Sequence, residues 1–346
     1  MSSSIVDNFE ILSSFDVGTR SATAGNKEDL LDAITIVSPT ETPFLSSLAK
    51  TVARGTIHEW LLDRLASRGN PDNGNTDVQV VPESYDASFT TPAVRKRLLN
   101  YTHILRKTVD VSDTQRAVNT AGIEDEYVYQ LRKALIELAT DIEFALVHSH
   151  LQAQSIVGNI GGTPADGRKM EGILYYLEPD PAGVTTDYLN SDMEGTITEA
   201  GSPIARLTET IVNDHNQAAW DKGVLFKTMY CNKVQKREVS TFTGNSNTRF
   251  NIGLDNQTLI NSIDIYQGDF GVQAVVLDRD IPTREVLTLD EDYWKIAVLR
   301  PILAVELART GNSTRAMIEA ELTLEALAPA TGGKIIWCSN KYGVAS

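Results

Sequence analysis

Two cysteines, Cys231 and Cys338, are all that 346 residues contain. They lie far apart and outside any CxxC pair, so neither a disulfide framework nor a thiolate metal site organises the chain, as expected of one that folds in a reducing compartment. Basic residues are also few: 31 Lys and Arg stand against 46 Asp and Glu, giving a formal charge of −15. That balance excludes a protein whose whole surface grips phosphate, and docking on anionic lipid with it. No apolar run reaches the roughly 18–20 residues that span a bilayer. The start, Met1-Ser2-Ser3-Ser4-Ile5-Val6-Asp7, has no basic leader and no long apolar stretch, so no secretory signal is expected.

Catalytic motifs are equally scarce. There is no GxSxG and no HExxH. Of the five histidines, His148 and His150 stand two apart on a helical stretch and point to different sides, so they do not chelate together. Gly162 to Lys169 lacks the Lys-Ser/Thr ending of a phosphate loop and follows a helix, not a strand. Asp72, Asn73, Asn75 and Asp77 lack the closing Glu of a calcium loop and read as a turn. Asp290-Glu291-Asp292 reads as a solvated run, or as a cation contact between subunits. Trp60, Trp220, Trp294 and Trp337 read as packing residues and not as a stacking platform. No enzyme activity, cofactor or metal is expected.

What the chain does contain is 42% hydrophobic residues, enough for a large core, in an order that changes character several times. Residues 1–25 are rich in Ser, Thr and Gly and read as an extended arm held by something else. Asn26 caps a short helix through Leu30 and Ile34, and Thr42-Pro43 opens another carrying Phe44, Leu45 and Leu48. From Thr56 the pattern turns to strand, with Trp60 inside Ile57 to Leu62, a hairpin signal at Asn73-Gly74, and extended runs from Ala87 to Arg97 and from Leu98 to Val111. So long a hairpin with few large apolar groups at its tip has little core of its own and is expected to rest on a neighbour. Ser112 and Gln115 form a capping box. Tyr127, Leu131, Leu135, Leu138, Ile142 and Leu146 then mark an amphipathic helix reaching about Val157, on the order of 50 Å long. Residues 178–221 carry nine acidic residues and one Arg and include an expected helix from Pro203 to Trp220, with Ile204, Leu207, Ile211 and His215 on one side. Short strands follow at Val224 to Tyr230, Ile263 to Tyr266 and Val272 to Leu277, and the end returns to β structure at Ala316 to Leu327 and Lys334 to Cys338.

Several stretches in this order carry a resemblance. They are Gly25-Asn26-Lys27-Glu28-Asp29-Leu30, Ser38-Pro39-Thr40-Glu41-Thr42-Pro43-Phe44, His58-Glu59-Trp60, Val111-Ser112-Asp113-Thr114-Gln115 and Glu137-Leu138-Ala139-Thr140-Asp141-Ile142-Glu143. Later come Gly268-Asp269-Phe270-Gly271, Asp278-Arg279-Asp280-Ile281-Pro282, Leu299-Arg300-Pro301, Glu306-Leu307-Ala308-Arg309-Thr310-Gly311 and Glu321-Leu322-Thr323-Leu324-Glu325. Each is short, and their colinearity over residues 25–338 is what counts. The chain resembles the tailed-bacteriophage major capsid proteins of the Hong Kong-97 fold, in particular a podovirus lineage.

The resemblance implies an α+β fold divided into an N-terminal arm (1–50), an E-loop β-hairpin (51–105), a peripheral domain with a spine helix (106–170), an axial domain (171–275) and return strands (276–346). It implies pentamers and hexamers closing an icosahedral head around double-stranded DNA, a precursor shell that expands, and portal, scaffold and decoration proteins as partners, with DNA met only non-specifically. The bacterial encapsulin shell shares the fold and is the alternative. Some relatives weld their shells through an E-loop lysine, but the run from Thr51 to Arg95 has none, so no such crosslink is expected. Candidate inter-subunit contacts are Trp60, Arg95, Lys96, Arg97, Arg106 and Lys107; the basic cluster reads as a solvated or salt-bridged strand face, or as a contact with a neighbour's acidic residues.

Overall fold

A computed structural model describes residues 40–63, 83–84, 86, 95–118, 123, 125–148, 167–177, 195–200, 205–242, 251–253, 256–258, 264–309 and 311–338. Residues 1–25 of the arm, the helix expected from Asn26, the hairpin tip, Gly162 of the phosphate-loop-like run and His150 lie outside these residues.

The first element, α1 (Pro43–Ser47), places its proline at the first helical position, where the missing N–H is no loss. Strands β1 (Ala49–Val52), β2 (Ile57–Leu62) and β3 (Lys96–Tyr101) follow; β2 and β3 pair antiparallel from Ile57 opposite Tyr101 to Leu62 opposite Lys96. Thr102 interrupts the extended run before β4 (His103–Ser112). It is buried, and its hydroxyl donates to Glu321 at 2.7 Å. The Ser112 half of the expected capping box forms: Ser112 Oγ accepts from the Gln115 amide at 3.1 Å and opens α2 (Asp113–Ala117).

The long helix, α3 (Glu126–His148), is 23 residues, about 35 Å at 1.5 Å per residue. Asp125 starts it by accepting from the Tyr127 amide at 2.9 Å. The expected continuation to Val157 lies beyond the described residues. Leu138, Ile142 and Leu146 are fully buried, as the stripe requires, and Tyr127 and Leu131 pack at its margin. Leu135 departs from expectation at 37% exposed, and Ala134 fills the buried position instead. At about 100° per residue Leu135 projects between the directions of Ile142 and Leu146, so its exposure reflects what packs over that turn of the helix and not a departure from the stripe.

Past α4 (Ile173–Tyr176) and β5 (Thr196–Glu199), the acidic region forms α5 (Glu209–Asp221). Thr208 caps it, so the helix begins later than the sequence predicts, with Leu207 buried just ahead of it and Ile204 outside the described residues. Then come β6 (Thr228–Cys231), α6 (Lys233–Val239), a small pair β7 (Asn251–Gly253) and β8 (Asn256–Thr258), β9 (Ile265–Gly268), β10 (Gly271–Leu277), β11 (Val286–Leu289), β12 (Trp294–Glu306), β13 (Ser313–Ala326) and β14 (Gly332–Ile336).

These strands make two main sheets. One has the order β1-β12-β13-β4, and the other β5-β14-β11-β6-β10-β9. The long helix lies on the first through Leu138, Ile142 and Leu146, in a core that also holds Phe44, Trp294, Ile318 and Leu324. Burying side chains of this size stabilises the fold by roughly 1.5–3 kcal/mol each. A second core joins α5 and α6 to the inner strands through Val212, Met229, Val239, Val286 and Ile335. At its centre the fully buried His215 stands between Thr198 and Thr288 hydroxyls, each at 2.8 Å, and stacks on Phe226. Burial holds its imidazole neutral, with the pKa pushed down to about 3.

Candidate functional site

In a protein with no catalytic motif, the functional surfaces are those that hold its extended parts and those left for other molecules. The N-terminal segment is held from far along the chain. The Phe44 and Leu45 amides donate to the two carboxylate oxygens of Glu143 at 2.7 and 2.8 Å. Thr42, the cap expected from sequence, makes no side-chain capping bond. A carboxylate at a helix N-terminus meets free N–H groups and the positive end of the dipole. Glu143 is nonetheless fully buried beside Asp278 and Asp280, and burial outweighs the two amide bonds to push its pKa up to about 7. The same segment is fastened by Phe44 stacking on Tyr230 at 4.1 Å, by Ser47 with the Tyr230 hydroxyl at 3.1 Å, and by Glu41 with Arg279 at 2.6 Å. Nothing in the local sequence pointed to Glu143, which sits on the long helix as one more charged residue.

The sequence-expected contact residues do not form one cluster. Arg95 pairs with Asp63 at 3.1 Å and Arg97 with Glu59 at 3.4 Å, both open to solvent on the hairpin stem, and half-buried Lys96 lies between them. Beyond Thr102 the chain enters the first main sheet, and Arg106 and Lys107, being successive strand residues, point to opposite faces. Arg106 meets Glu319 on β13, and Lys107 meets Asp141 of the long helix at 2.7 Å. Trp60 is placed inside its own subunit at 8% exposure, its ring 6.5 Å from that of Tyr176. Within one copy the indole is already largely covered.

Two more groups differ from expectation. Asp290-Glu291-Asp292 is not a free solvated run: Lys227 pairs with Asp290 at 2.9 Å and also with Asp292, and Glu291 accepts from the Tyr230 hydroxyl. Of the four tryptophans, Trp60 and Trp294 are buried, while Trp220 and Trp337 are exposed and do not serve as core. The sequence also missed a carboxylate pair on β13. Glu321 is buried and accepts from Thr102 at 2.7 Å, Arg168 at 2.5 Å and Arg300 at 2.8 Å, and Glu319 takes Arg106 and Arg300. Burial raises the Glu321 pKa, but these donors together outweigh it and hold the carboxyl below its ordinary value. Two glutamates two residues apart on one strand share a face, and the fan of arginines offsets their mutual repulsion there.

Among the described residues no group of three or more His, Cys, Asp or Glu is placed to hold a metal, and no helix is long and apolar enough to cross a membrane. Two open features stand out among the described residues: a groove of about 520 Å³ between β4 and the long helix, lined by Asp110, Gln115, Glu126, Gln130, Lys133 and Glu137 among others, and the outer end of β12. There Ile302, Leu303 and Val305 are 41%, 58% and 49% exposed.

Residues 17–339 match the family model described as SU10 major capsid protein. The chain belongs to that family. Members of the SU10 major capsid protein family are structural components of phage particles, and this one is a virion protein whose copies build an icosahedral capsid. It is 24% identical to the major capsid protein of Escherichia phage Phieco32 over 344 residues, covering 92% of this chain and 96% of that one. Among solved structures it is similar to the capsid subunit of Cyanophage A-1(L), with a TM-score of 0.64 at 16% identity over 90% of this chain and 97% of that one. It is also similar in fold to the SrpI encapsulin of Synechococcus elongatus PCC 7942, with a TM-score of 0.54 at 9% identity over 95% of this chain and 100% of that one. The mixed helix-and-strand architecture expected from the sequence is the one these shells share.

Proposed function

We propose that the chain assembles as pentamers and hexamers into a head that encloses double-stranded DNA and expands on maturation, in a purely structural role. The observation that carries this is the family match over residues 17–339, nearly the whole chain. The reading carries a division of the chain with it. Residues 1–50 serve as the arm, 51–105 as the E-loop, 106–170 as the peripheral domain with its spine helix, 171–275 as the axial domain, and 276–346 as the strands that complete the peripheral sheet. A heterologous contact between such extended parts closes rings when the rotation closes. The encapsulin reading rests on fold likeness alone. Portal, scaffold and decoration proteins are the expected partners, and the formal charge of −15 lets packaged DNA spool against a lining that does not hold it.

Arg95, Lys96 and Arg97 on the hairpin stem, with Arg106 and Lys107 at the sheet, are the proposed contacts to a neighbour's acidic surface. Electron microscopy of the purified chain, expressed alone and with its phage's scaffold, tests the whole reading. Closed shells or five- and six-fold rings are expected, and boiling them in detergent should release single chains, because the run from Thr51 to Arg95 has no lysine to weld. A small oligomer under both conditions would overturn the reading.

A further inference from the structure

Strand β12 is covered on one edge by β13 along its length, but on the other edge only over its first half. There β1 pairs with it from Ala49 opposite Lys295 to Val52 opposite Val298, and the Ala53 amide makes the last bond to the Val298 carbonyl. From Arg300 to Glu306 the strand runs on with no strand partner on that side among the described residues, and all seven residues are exposed. Its apolar side chains lie on both faces, Ile302 and Ala304 on one and Leu303 and Val305 on the other. A strand apolar on both faces is ordinarily interior to a sheet, and an open apolar edge is a template for another strand.

Backbone direction is fixed by one bond. The Leu307 amide donates to the Arg315 carbonyl at 2.9 Å, and β12 pairs with β13 as Val305 opposite Met317 and Leu303 opposite Glu319. In an antiparallel pair alternate residues turn both backbone groups toward the partner. Leu307, Val305 and Leu303 therefore bond inward, and the amides and carbonyls of Glu306, Ala304 and Ile302 face away from β13. The edge carries its own complement: in Arg300-Pro301-Ile302-Leu303-Ala304-Val305-Glu306 a cation and an anion stand equidistant from Leu303. Glu306 has no ionic partner among the described residues. Arg300 donates through Nε to Glu321 and through Nη1 to Glu319, and its half-exposed guanidinium keeps further donors.

We propose that residues 300–306 of β12 pair antiparallel with the same residues of a second copy across a two-fold axis centred on Leu303. Counting outward, Ile302 faces the second copy's Ala304, where both residues have outward backbone groups to exchange. Pro301 faces Val305 at a position that makes no ladder bond, so the missing N–H costs nothing. Arg300 faces Glu306 at each end. Such a contact is isologous, joins two sheets into one, and covers Leu303 against its own counterpart and Val305 against Pro301 of the second copy. It rests on the shell reading and adds the surface and register by which capsomers meet.

The test uses the full chain with Leu303→Cys. Opposed residues that make no ladder bond have Cα atoms about 4.5 Å apart, within disulfide reach, and the native Cys231 and Cys338 are buried. Mild oxidation should convert the chain to a reducible dimer on a denaturing gel, whereas Leu61→Cys, exposed on the hairpin, should stay monomeric. Ala304→Pro removes only an outward amide, a change an edge strand tolerates. It should leave the subunit folded, abolish the Leu303→Cys dimer, and lower shell yield at least tenfold. A monomeric Leu303→Cys band overturns the pairing whether or not shells form. Normal shells from Ala304→Pro overturn it as well, as does loss of assembly on Ala304→Pro when Leu303→Cys alone gives no dimer, which would assign the edge to another occupant such as the arm or a scaffold. A dimer without shells would count against the shell reading alone.

Discussion

At the scale of single residues, Glu143 couples the N-terminal segment to the long helix, and it does so with a carboxyl that titrates near neutrality. Its pKa in the folded chain is about 7, above the 4.5 of a free side chain, so the native state binds the proton more tightly than the unfolded one. The associated stability is present below about pH 4.5 and is lost as pH rises through 7. A shift of this size corresponds to on the order of 3 kcal/mol over that window. Asp278 and Asp280 are raised by burial and push in the same direction. His215, lowered to about 3, pushes the opposite way, its contribution being lost as pH falls below 6.5. A comparison with Glu143→Gln isolates the one group. Denaturant midpoints of the free subunit should fall from pH 5 to pH 8 more steeply in the native chain than in Glu143→Gln, while Glu143→Ala, which leaves the buried Phe44 amide and the part-buried Leu45 amide without their acceptor, should lose roughly 2–4 kcal/mol at every pH. Parallel pH slopes in the native and Gln chains would rule this out.

At the scale of elements, what was legible followed from periodicity, and what was not followed from distance. The long helix, its capping box upstream, β2 with Trp60, and β10 were all readable because each signal lies within a few residues. The burial of the helix was readable only in part: the leucine pattern gives the face but not how far it is covered along its length, so the small Ala134 is buried while Leu135 is 37% exposed. The two leucines therefore separate. Leu138→Ala should cost about 2–5 kcal/mol by opening a cavity against the sheet. Leu135→Ala, at the exposed position, should change stability by less than about 1 kcal/mol. Equal losses in thermal or denaturant unfolding would return Leu135 to the core. Strand β12 was missed because Pro301 demotes a run that otherwise reads as a central strand. The proline is tolerated where it falls, between register shifts and on the half of the strand that β1 does not reach.

At the scale of the whole molecule, the long-range bonds decide which charges are available to another copy, and no local pattern announces them. Five basic residues close in sequence, from Arg95 to Lys107, are divided by the buried Thr102 into a stem group and a sheet group. Arg106 and Lys107 are engaged with Glu319 and Asp141, which ties them to their own subunit's sheet and helix. Arg95 and Arg97 are paired too, but across the stem, at 3.1 and 3.4 Å, with both partners well exposed. Exposed pairs of that kind contribute little to folding and are screened by salt. Their charge is therefore free to act between copies of a strongly acidic chain, where a basic patch offsets the mutual repulsion of the remaining surface. Reversing both, Arg95→Glu with Arg97→Glu, should leave the unfolding midpoint of the free subunit nearly unchanged while shell yield, followed by light scattering, falls at least tenfold. Raising the ionic strength should weaken assembly of the native chain in the same direction and have a smaller effect on the doubly reversed one, whose attractive partner is already gone. Unchanged yield with the double reversal would return the stem arginines to the role of a solvated strand face.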